Sequence, residues 1–193
     1  HIMRSIYKLV VCSLLTLSIT SCEKDLLEKE QYQKEIYLIG AYNRVWTTEV
    51  SYSNEEVKTY FTVSSSGTLA LDRDVNVKMK INEELVDIYN RKYWTVLNED
   101  KYYKSLDTDL YSIPSLENTV IKHAEGISAE VPVLIKTASL KIDQSYVIPV
   151  EIESTTGYPI STSGCKMLVL LKLKNDYSGS YQMSGPVSYT HLT

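Results

Sequence analysis

Residues that carry out acid–base and metal chemistry are scarce in this chain. Its 193 residues include 3 histidines and 3 cysteines. Only His123 lies away from the chain ends, and no Gly-x-Ser-x-Gly segment offers it a serine nucleophile. We therefore expect His123 to be a surface or edge-strand residue. Phenylalanine is nearly absent (1 residue), and no apolar run reaches the roughly 20 residues that a membrane-spanning helix needs.

Metal and carboxylate chemistry has equally little support. Cys165 has no neighbouring ligand and no disulfide partner, because the other two cysteines belong to the amino-terminal segment. The tight acidic pairs are Asp72 with Asp74 and Asp107 with Asp109. Since a calcium site needs about six to eight oxygens, we interpret these pairs as loop residues, with weak calcium binding as the alternative. The sequence predicts no metal site and no cofactor.

The amino-terminal segment carries the clearest sorting pattern. Arg4 and Lys8 introduce a short apolar run from Leu9 to Ile19, and small residues stand directly before Cys22. This arrangement resembles a bacterial lipoprotein signal peptide, in which Cys22 becomes the lipidated first residue. The resemblance implies a protein that is lipid-anchored in the outer membrane and faces the cell surface. An ordinary cleaved signal peptide is the alternative.

Five segments follow from the sequence pattern. Residues 1–21 comprise an upstream remnant and the signal peptide, and residues 22–34 form a charged tether. Residues 35–175 are predicted to form one domain, and residues 176–185 the start of a truncated second domain. Residues 186–193 resemble an in-frame translation of a sequencing adapter, with a genuine Ser/Thr-rich tail as the alternative.

Loss of the leader makes the chain more acidic. Removing Arg4 and Lys8 lowers the 20 basic residues to 18, while all 24 acidic residues stay. This balance, without a basic patch, predicts that neither nucleic acid nor an anionic lipid surface is a partner.

Hydrophobic alternation predicts a domain rich in β-strands. From Asp74 to Ile81 every second residue is apolar, which is typical of a half-buried strand. The same period recurs from Tyr146 to Ile152 and more weakly from Val131 to Ile135. The segment from Leu168 to Leu173 is apolar on both faces and is predicted to be a central strand. Further strands are predicted at residues 35–39, 57–63 and 119–123.

One helix interrupts the predicted strands. Asn82 is a favourable cap for a helix from Glu83 to Tyr89, whose apolar face carries Leu85, Ile88 and Tyr89. Closely spaced strands with Gly-containing and Ser-containing turns, without βαβ alternation, predict an all-β fold. We expect an immunoglobulin-like antiparallel β-sandwich with one short helix.

Four segments together resemble a known family. They are INEELVDIYNRKY, VPVLIK, YVIPVEIES and LVLLKLKNDYSGSY. Over residues 36–175 the chain is similar to the immunoglobulin-like amino-terminal domain of unknown function in Bacteroidota surface lipoproteins. That domain is found ahead of family-18 glycoside hydrolase or lectin-like modules in polysaccharide-utilisation loci. The resemblance implies a domain without enzymatic activity, and the sequence lacks the Asp-x-x-Asp-x-Asp-x-Glu motif of family-18 hydrolases.

Tyrosine dominates the aromatic residues, with 16 Tyr against 2 Trp. The densest group consists of Tyr93, Trp94, Tyr102 and Tyr103, and it flanks a polar stretch. Because aromatic rings pack on sugar rings, these four residues are the candidate glycan-binding residues. The alternative is that Trp94 and one tyrosine of each pair fill the core or cover the helix.

Three functional hypotheses follow. The first is a non-catalytic outer-membrane lipoprotein domain that binds glycan, or presents a following module, beside an outer-membrane importer or hydrolase. The second is an amino-terminal spacer of an extracellular endoglycosidase whose catalytic module lies downstream. The third is an adhesin or fimbria-like structural subunit, which would need an exposed edge strand.

Overall fold

The computed structural model describes residues 33–67 and 69–174. The predicted leader, Cys22, nearly all of the tether, the second domain and the adapter-like tail lie outside the described residues. The helices and strands given below belong to one unit, formed by residues 34–66 and 70–174. Within the described ranges, no helix is long and apolar enough to cross a membrane.

Strands make up most of this unit. They are β1 (Ile36–Leu38), β2 (Val45–Ser51), β3 (Glu56–Ser65), β4 (Val75–Ile81), β5 (Lys104–Ser105), β6 (Tyr111–Ser112), β7 (Thr119–Ile121), β8 (Ser128–Lys136), β9 (Tyr146–Thr155) and β10 (Lys166–Lys174). The α-helix, α1, spans Glu84–Tyr93, and short 3₁₀ helices span Ala41–Asn43, Val96–Lys101 and Thr108–Leu110.

The strands form two sheets. One has the order β1-β3-β8-β6, and the other has the order β2-β10-β9-β4-β7, with β5 paired to β9. Phe61 and Val133 from the first sheet and Val77, Ile148 and Val169 from the second belong to one buried core. Two sheets that share a core in this way confirm the predicted immunoglobulin-like β-sandwich with one helix.

Two strand pairs run parallel, which the expectation of an antiparallel sandwich did not include. β2 pairs in parallel with β10, and β5 pairs in parallel with β9. β2 was not predicted, because the segment VWTTEV at residues 45–50 has no two-residue apolar period. β10 lies between β2 and β9, as its apolar sequence predicts.

The alternating strand β4 buries the residues that its sequence assigns to the core. Val75, Val77 and Met79 are at most 1% exposed, whereas Lys78 and Lys80 face solvent. Each fully buried side chain of this size stabilises the fold by about 1.5–3 kcal/mol. The alternation therefore fixes which face of β4 meets the opposite sheet.

Helix α1 is longer than predicted. It ends at Tyr93 rather than at Tyr89, because residues 90–92 contain no helix breaker and two of them are basic, which suits the negative end of the helix. It begins at Glu84 rather than at Glu83, with Glu83 in the cap position, and the predicted cap Asn82 lies one residue earlier, where its Oδ1 accepts from the backbone N–H of Glu84 at 3.2 Å.

The face that α1 turns inward also differs from the prediction. Val86 and Asn90 are the buried residues of the helix, and Ile88 is 54% exposed. Leu85, Ile88 and Tyr89 do share a face, as predicted, but the buried residues lie beside it. Val86 packs with Val147 and Leu168 in a small second core, so α1 covers β9 and β10 on the face away from the sandwich core.

Candidate functional site

The carboxyl end of α1 leads into a short irregular segment that carries most of the candidate residues. The backbone N–H of Trp94 donates to Asn90 O at 2.9 Å, and Trp94 itself is extended, with φ −125° and ψ 139°. Beyond it, Asn98 is tied back to Thr95 by a backbone bond of 2.9 Å and a side-chain bond of 3.0 Å. These bonds hold the chain in a turn directly after the helix.

An open cavity of about 430 Å³ lies at this turn. The residues around it come from the last turn of α1 and from the segment that follows: Arg91, Lys92, Tyr93, Trp94, Thr95, Val96 and Tyr102. Three of the four candidate residues, Tyr93, Trp94 and Tyr102, thus border one cavity. We call it the helix-end cavity.

Tyr103, the fourth candidate, lies elsewhere. Its ring stacks on Tyr89 with centroids 5.1 Å apart, against the small core below α1. Its backbone N–H donates to Asn90 Oδ1, and its carbonyl accepts from Asn90 Nδ2, both at 2.9 Å. Tyr103 therefore joins the segment after α1 to the helix and does not border the cavity. Burial, together with the neighbouring Tyr103, raises the pKa of Tyr89 to about 12.

Trp94 is half-buried, and its indole nitrogen points inward. Trp94 Nε1 is buried and has no hydrogen-bond partner among the described residues. Lys101 Nζ lies 5.7 Å from the centre of the Trp94 ring. Because the N–H is buried, the indole can meet a ligand only through its face or its outer edge.

Tyr93 is the most open of the aromatic side chains at the cavity. It is 48% exposed, and its ring centre lies 4.4 Å from that of Tyr89 and 5.4 Å from Lys92 Nζ. The contact with Tyr89 holds the Tyr93 ring against the helix. An amphipathic ring held in this way gives a ligand a rigid surface that loses little conformational entropy on binding.

The acidic pairs and the histidine lie in exposed positions. His123 Nδ1 lies 2.6 Å from Asp74 Oδ1, and this hydrogen bond lowers the pKa of Asp74. Asp72 pairs with Arg73 and accepts from Tyr158, and both bonds hold the pKa of Asp72 well below its usual range. The surface position predicted for His123 is confirmed, since half of its side chain is exposed. In the part of the chain that the structure describes, no three His, Cys, Asp or Glu side chains are grouped as metal ligands.

A second cavity, of about 230 Å³, lies on the other side of α1 and was not predicted. It is lined by Arg44, Leu85, Ile88, Tyr89, Lys166, Met167 and Leu168. Arg44 has a left-handed backbone, with φ 63°, where the chain enters the unpredicted strand β2. Its lining comes from three segments that are distant in sequence, so no local pattern indicated this cavity.

Comparison with known proteins identifies the domain. A family model described as "-like, N-terminal domain" matches residues 32–159, well over half of the chain. The chain belongs to this family of N-terminal domains. The match covers all strands from β1 to β9 and the helix-end cavity. It confirms the predicted resemblance to an amino-terminal domain. No curated protein matches the chain.

Solved structures from Bacteroides share the fold of this N-terminal domain family. A multidomain protein including DUF1735 from Bacteroides ovatus is 20% identical, with a TM-score of 0.57 over 71% of this chain and 43% of that chain. An auxiliary nutrient binding protein from Bacteroides thetaiotaomicron is 18% identical, with a TM-score of 0.56 over 72% of this chain and 47% of that chain. EndoBT-3987, crystallised with a Man5GlcNAc product, is 18% identical, with a TM-score of 0.51 over 72% of this chain and 30% of that chain. The chain thus spans less than half the length of these proteins.

Proposed function

We propose that this domain is a non-catalytic module that binds glycan at the helix-end cavity. The observation that carries the proposal is the grouping of Tyr93, Trp94 and Tyr102 around one open cavity. Sugar rings have apolar faces that pack on aromatic side chains, while their hydroxyls bond to polar groups at the rim. The described residues around this cavity supply both kinds of surface.

The structures that share the fold support a role in carbohydrate handling. One is an auxiliary nutrient binding protein, and another is an endoglycosidase captured with a glycan product. In the endoglycosidase, the region that matches this chain is 30% of the protein, which leaves most of that chain for other modules. A region with this fold is therefore one part of a longer chain in EndoBT-3987.

We further propose that the protein is anchored in the outer membrane through lipid on Cys22 and faces the cell surface. The signal-peptide pattern before Cys22 supports this location. A surface anchor would hold bound glycan beside an importer complex or a hydrolase. Mass spectrometry of the native protein tests the anchor, because an unmodified Cys22 thiol would contradict it.

Affinity electrophoresis of the full chain through gels that contain a broad panel of polysaccharides tests glycan binding. At least one polysaccharide should retard the chain, and Trp94→Ala should weaken that binding by more than about 1 kcal/mol. Tyr60→Ala is the matched control, because Tyr60 is an exposed tyrosine with Lys58 Nζ 5.1 Å away on the four-stranded sheet. Equal mobility of the unmodified chain, Trp94→Ala and Tyr60→Ala in every gel would contradict the proposal.

The second candidate function is a spacer ahead of an endoglycosidase module, which the similarity to EndoBT-3987 favours. Reading the gene beyond residue 185 on intact DNA separates the two candidates. An acidic hydrolase motif downstream supports the spacer, and a second β-domain supports the binding protein.

A further inference from the structure

The helix-end cavity is lined by positively charged side chains that have no ion-pair partner among the described residues. Arg91 and Lys92 line it, and Lys101 lies beside its tryptophan. Among the described residues, no carboxylate lies within 4.0 Å of the side-chain nitrogens of these three cations. Some cations elsewhere in the domain are paired, such as Lys78 with Glu153 at 2.7 Å and Lys122 with Glu125 at 2.8 Å.

The acidic residues closest in sequence do not border this cavity. Glu84 and Asp87 line a separate hollow together with Arg91 and Ile88. Glu99 and Asp100 belong to the 3₁₀ helix and are absent from the cavity lining. The lining thus combines two cations with three aromatic rings and contains no carboxylate, in a chain whose net charge is −4.

The amines lie beside the rings that would contact a sugar. Lys92 Nζ is 5.4 Å from the centre of the Tyr93 ring, and Lys101 Nζ is 5.7 Å from that of Trp94. A sugar ring packed on either aromatic side chain would bring its own substituents within reach of an amine or of the Arg91 guanidinium. Arginine binds carboxylate and sulfate groups through paired N–H bonds, whereas neutral hydroxyls gain far less from a full positive charge.

We infer that the ligand of the helix-end cavity is an acidic glycan, whose sugar rings carry carboxylate or sulfate groups. This inference rests on the proposed glycan binding and names the class of sugar. Tyr93, Trp94 and Tyr102 provide the ring contacts, and Arg91, Lys92 and Lys101 provide the charge contacts. The inference refines the prediction made from net charge, because a chain with a negative net charge can still carry a local cluster of cations.

Matched pairs of polysaccharides test the class of sugar. Polygalacturonate is compared with its methyl-esterified form, and dextran sulfate with dextran, in affinity gels run with the full chain. We expect the charged member of at least one pair to bind about tenfold more tightly than its neutral partner. The carboxylate pair and the sulfate pair show which acidic group is preferred. Added salt should weaken the charged interaction, since it screens exposed charges.

Substitutions separate charge recognition from ring contact. Arg91→Gln and Lys92→Gln should each weaken binding to the charged polysaccharide at least about fivefold, with little change for a neutral one. Lys58→Gln, which removes a cation beside an exposed tyrosine on the other sheet, should change binding to neither polysaccharide. Unchanged affinity in both cavity variants, or equal binding to both members of each pair, would overturn the acidic-glycan inference. Glycan binding itself would still stand if Trp94→Ala abolished retention by a neutral polysaccharide in the broad panel.

A negatively charged membrane is the competing ligand for a basic and aromatic surface. Leu97 is 93% exposed, follows the cavity residues directly and does not line the cavity. Leu97→Ser should therefore leave binding to the charged polysaccharide unchanged. If the full chain instead sediments with phosphatidylglycerol vesicles, and Leu97→Ser abolishes this while no polysaccharide is bound, the acidic-glycan inference is wrong.

Discussion

At the scale of single residues, one buried amide holds the candidate site in place. Asn90 is 4% exposed, and its side chain makes two 2.9 Å hydrogen bonds with the backbone of Tyr103. The segment between these two residues carries the helix-end cavity. The sequence did not reveal this contact, because an asparagine late in a helix reads as an ordinary helix-ending residue. Only the tertiary structure shows that the side-chain amide of Asn90 is the hydrogen-bond partner of the N–H and the carbonyl of Tyr103.

Asn90→Ala should therefore be strongly destabilising. It leaves the N–H and carbonyl of Tyr103 without partners in a partly buried position, which costs about 3 kcal/mol in the free energy of unfolding. Denaturant unfolding measures the loss. Asn118→Ala is the control, because Asn118 is exposed and its side chain makes no hydrogen bond in the described part of the chain. An equal and small effect of the two substitutions would contradict this role of Asn90.

A partly buried phenol makes the stability of the fold depend on alkaline pH. Burial, with the negative charge of Glu83 adding to it, raises the pKa of Tyr111 to about 12. A tyrosine in the unfolded chain titrates near about 10, so the unfolded state loses this proton first. The contribution of Tyr111 to stability is therefore intact below about pH 10 and falls as the pH rises towards about 12.

Unfolding measured between about pH 9 and about pH 11.5 tests the pKa of Tyr111. Tyr111→Phe should lose less stability over this interval than the unmodified chain. Tyr42→Phe should lose as much as the unmodified chain, because Tyr42 is an exposed tyrosine outside the core. Some loss should remain in Tyr111→Phe, since the pKa of Tyr89 is raised to about 12 as well. Identical pH profiles for all three proteins would rule out the shift at Tyr111.

At the scale of elements, the sequence predicted strands well where burial on one side produces a clean period. β4 and β8 alternate in burial, and β10 is apolar on both faces, so each was predicted. β9 was predicted from an alternating period as well, but its residues 146–150 are buried on both faces. β2 was missed because an edge strand beside β10 tolerates threonine and glutamate on both faces. β5 and β6, of two residues each, are too short for any period. Their positions depend on contacts with β9 and β8 that are distant in sequence.

The orientation of α1 was predicted only in part for a similar reason. Leu85 and Tyr89 do pack on the small core, but the buried residues of the helix are Val86 and Asn90, and Ile88 is exposed. A three-turn helix that packs on one face of a sheet buries a narrow stripe, so an apolar residue beside that stripe need not be buried. The closeness in sequence of the candidate residues predicts that Tyr93, Trp94 and Tyr102 lie together at the helix-end cavity. It does not predict that Tyr103 lies apart from them.

Two substitutions on α1 distinguish its faces. Val86→Ala removes methyl groups that pack on Val147 and Leu168, and should lower the free energy of unfolding by about 2 kcal/mol. Ile88→Ala, on the same helix and 54% exposed, should change it by less than about 0.5 kcal/mol. Thermal or denaturant unfolding gives both values. A larger loss for Ile88→Ala than for Val86→Ala would contradict the orientation described here.

At the scale of the whole molecule, the residues that form the core of the sandwich differ from the residues of the candidate site. The shared core of the two sheets fixes the fold, and the candidate site lies in an appended helix and turn outside that core. Loops and appended segments vary without disturbing a β-core, and they commonly carry function on such scaffolds. Net charge and composition indicated an acidic domain without catalytic residues. They could not show that three cations and three aromatic rings lie together at one end of the helix, because net charge and composition do not say where residues lie in the fold.

The most direct test of glycan binding at the helix-end cavity uses the two tryptophans of the chain. The full chain labelled with 5-fluorotryptophan gives one fluorine resonance for Trp94 and one for Trp46, assigned with Trp94→Phe. Oligogalacturonate and sulfated dextran fragments are added in turn and followed by fluorine NMR. The Trp94 resonance should shift saturably with at least one of them, while the Trp46 resonance, from a residue packed on the sandwich core, stays in place. A Trp94 resonance that does not move with any glycan that retards the chain in gels would contradict binding at this cavity.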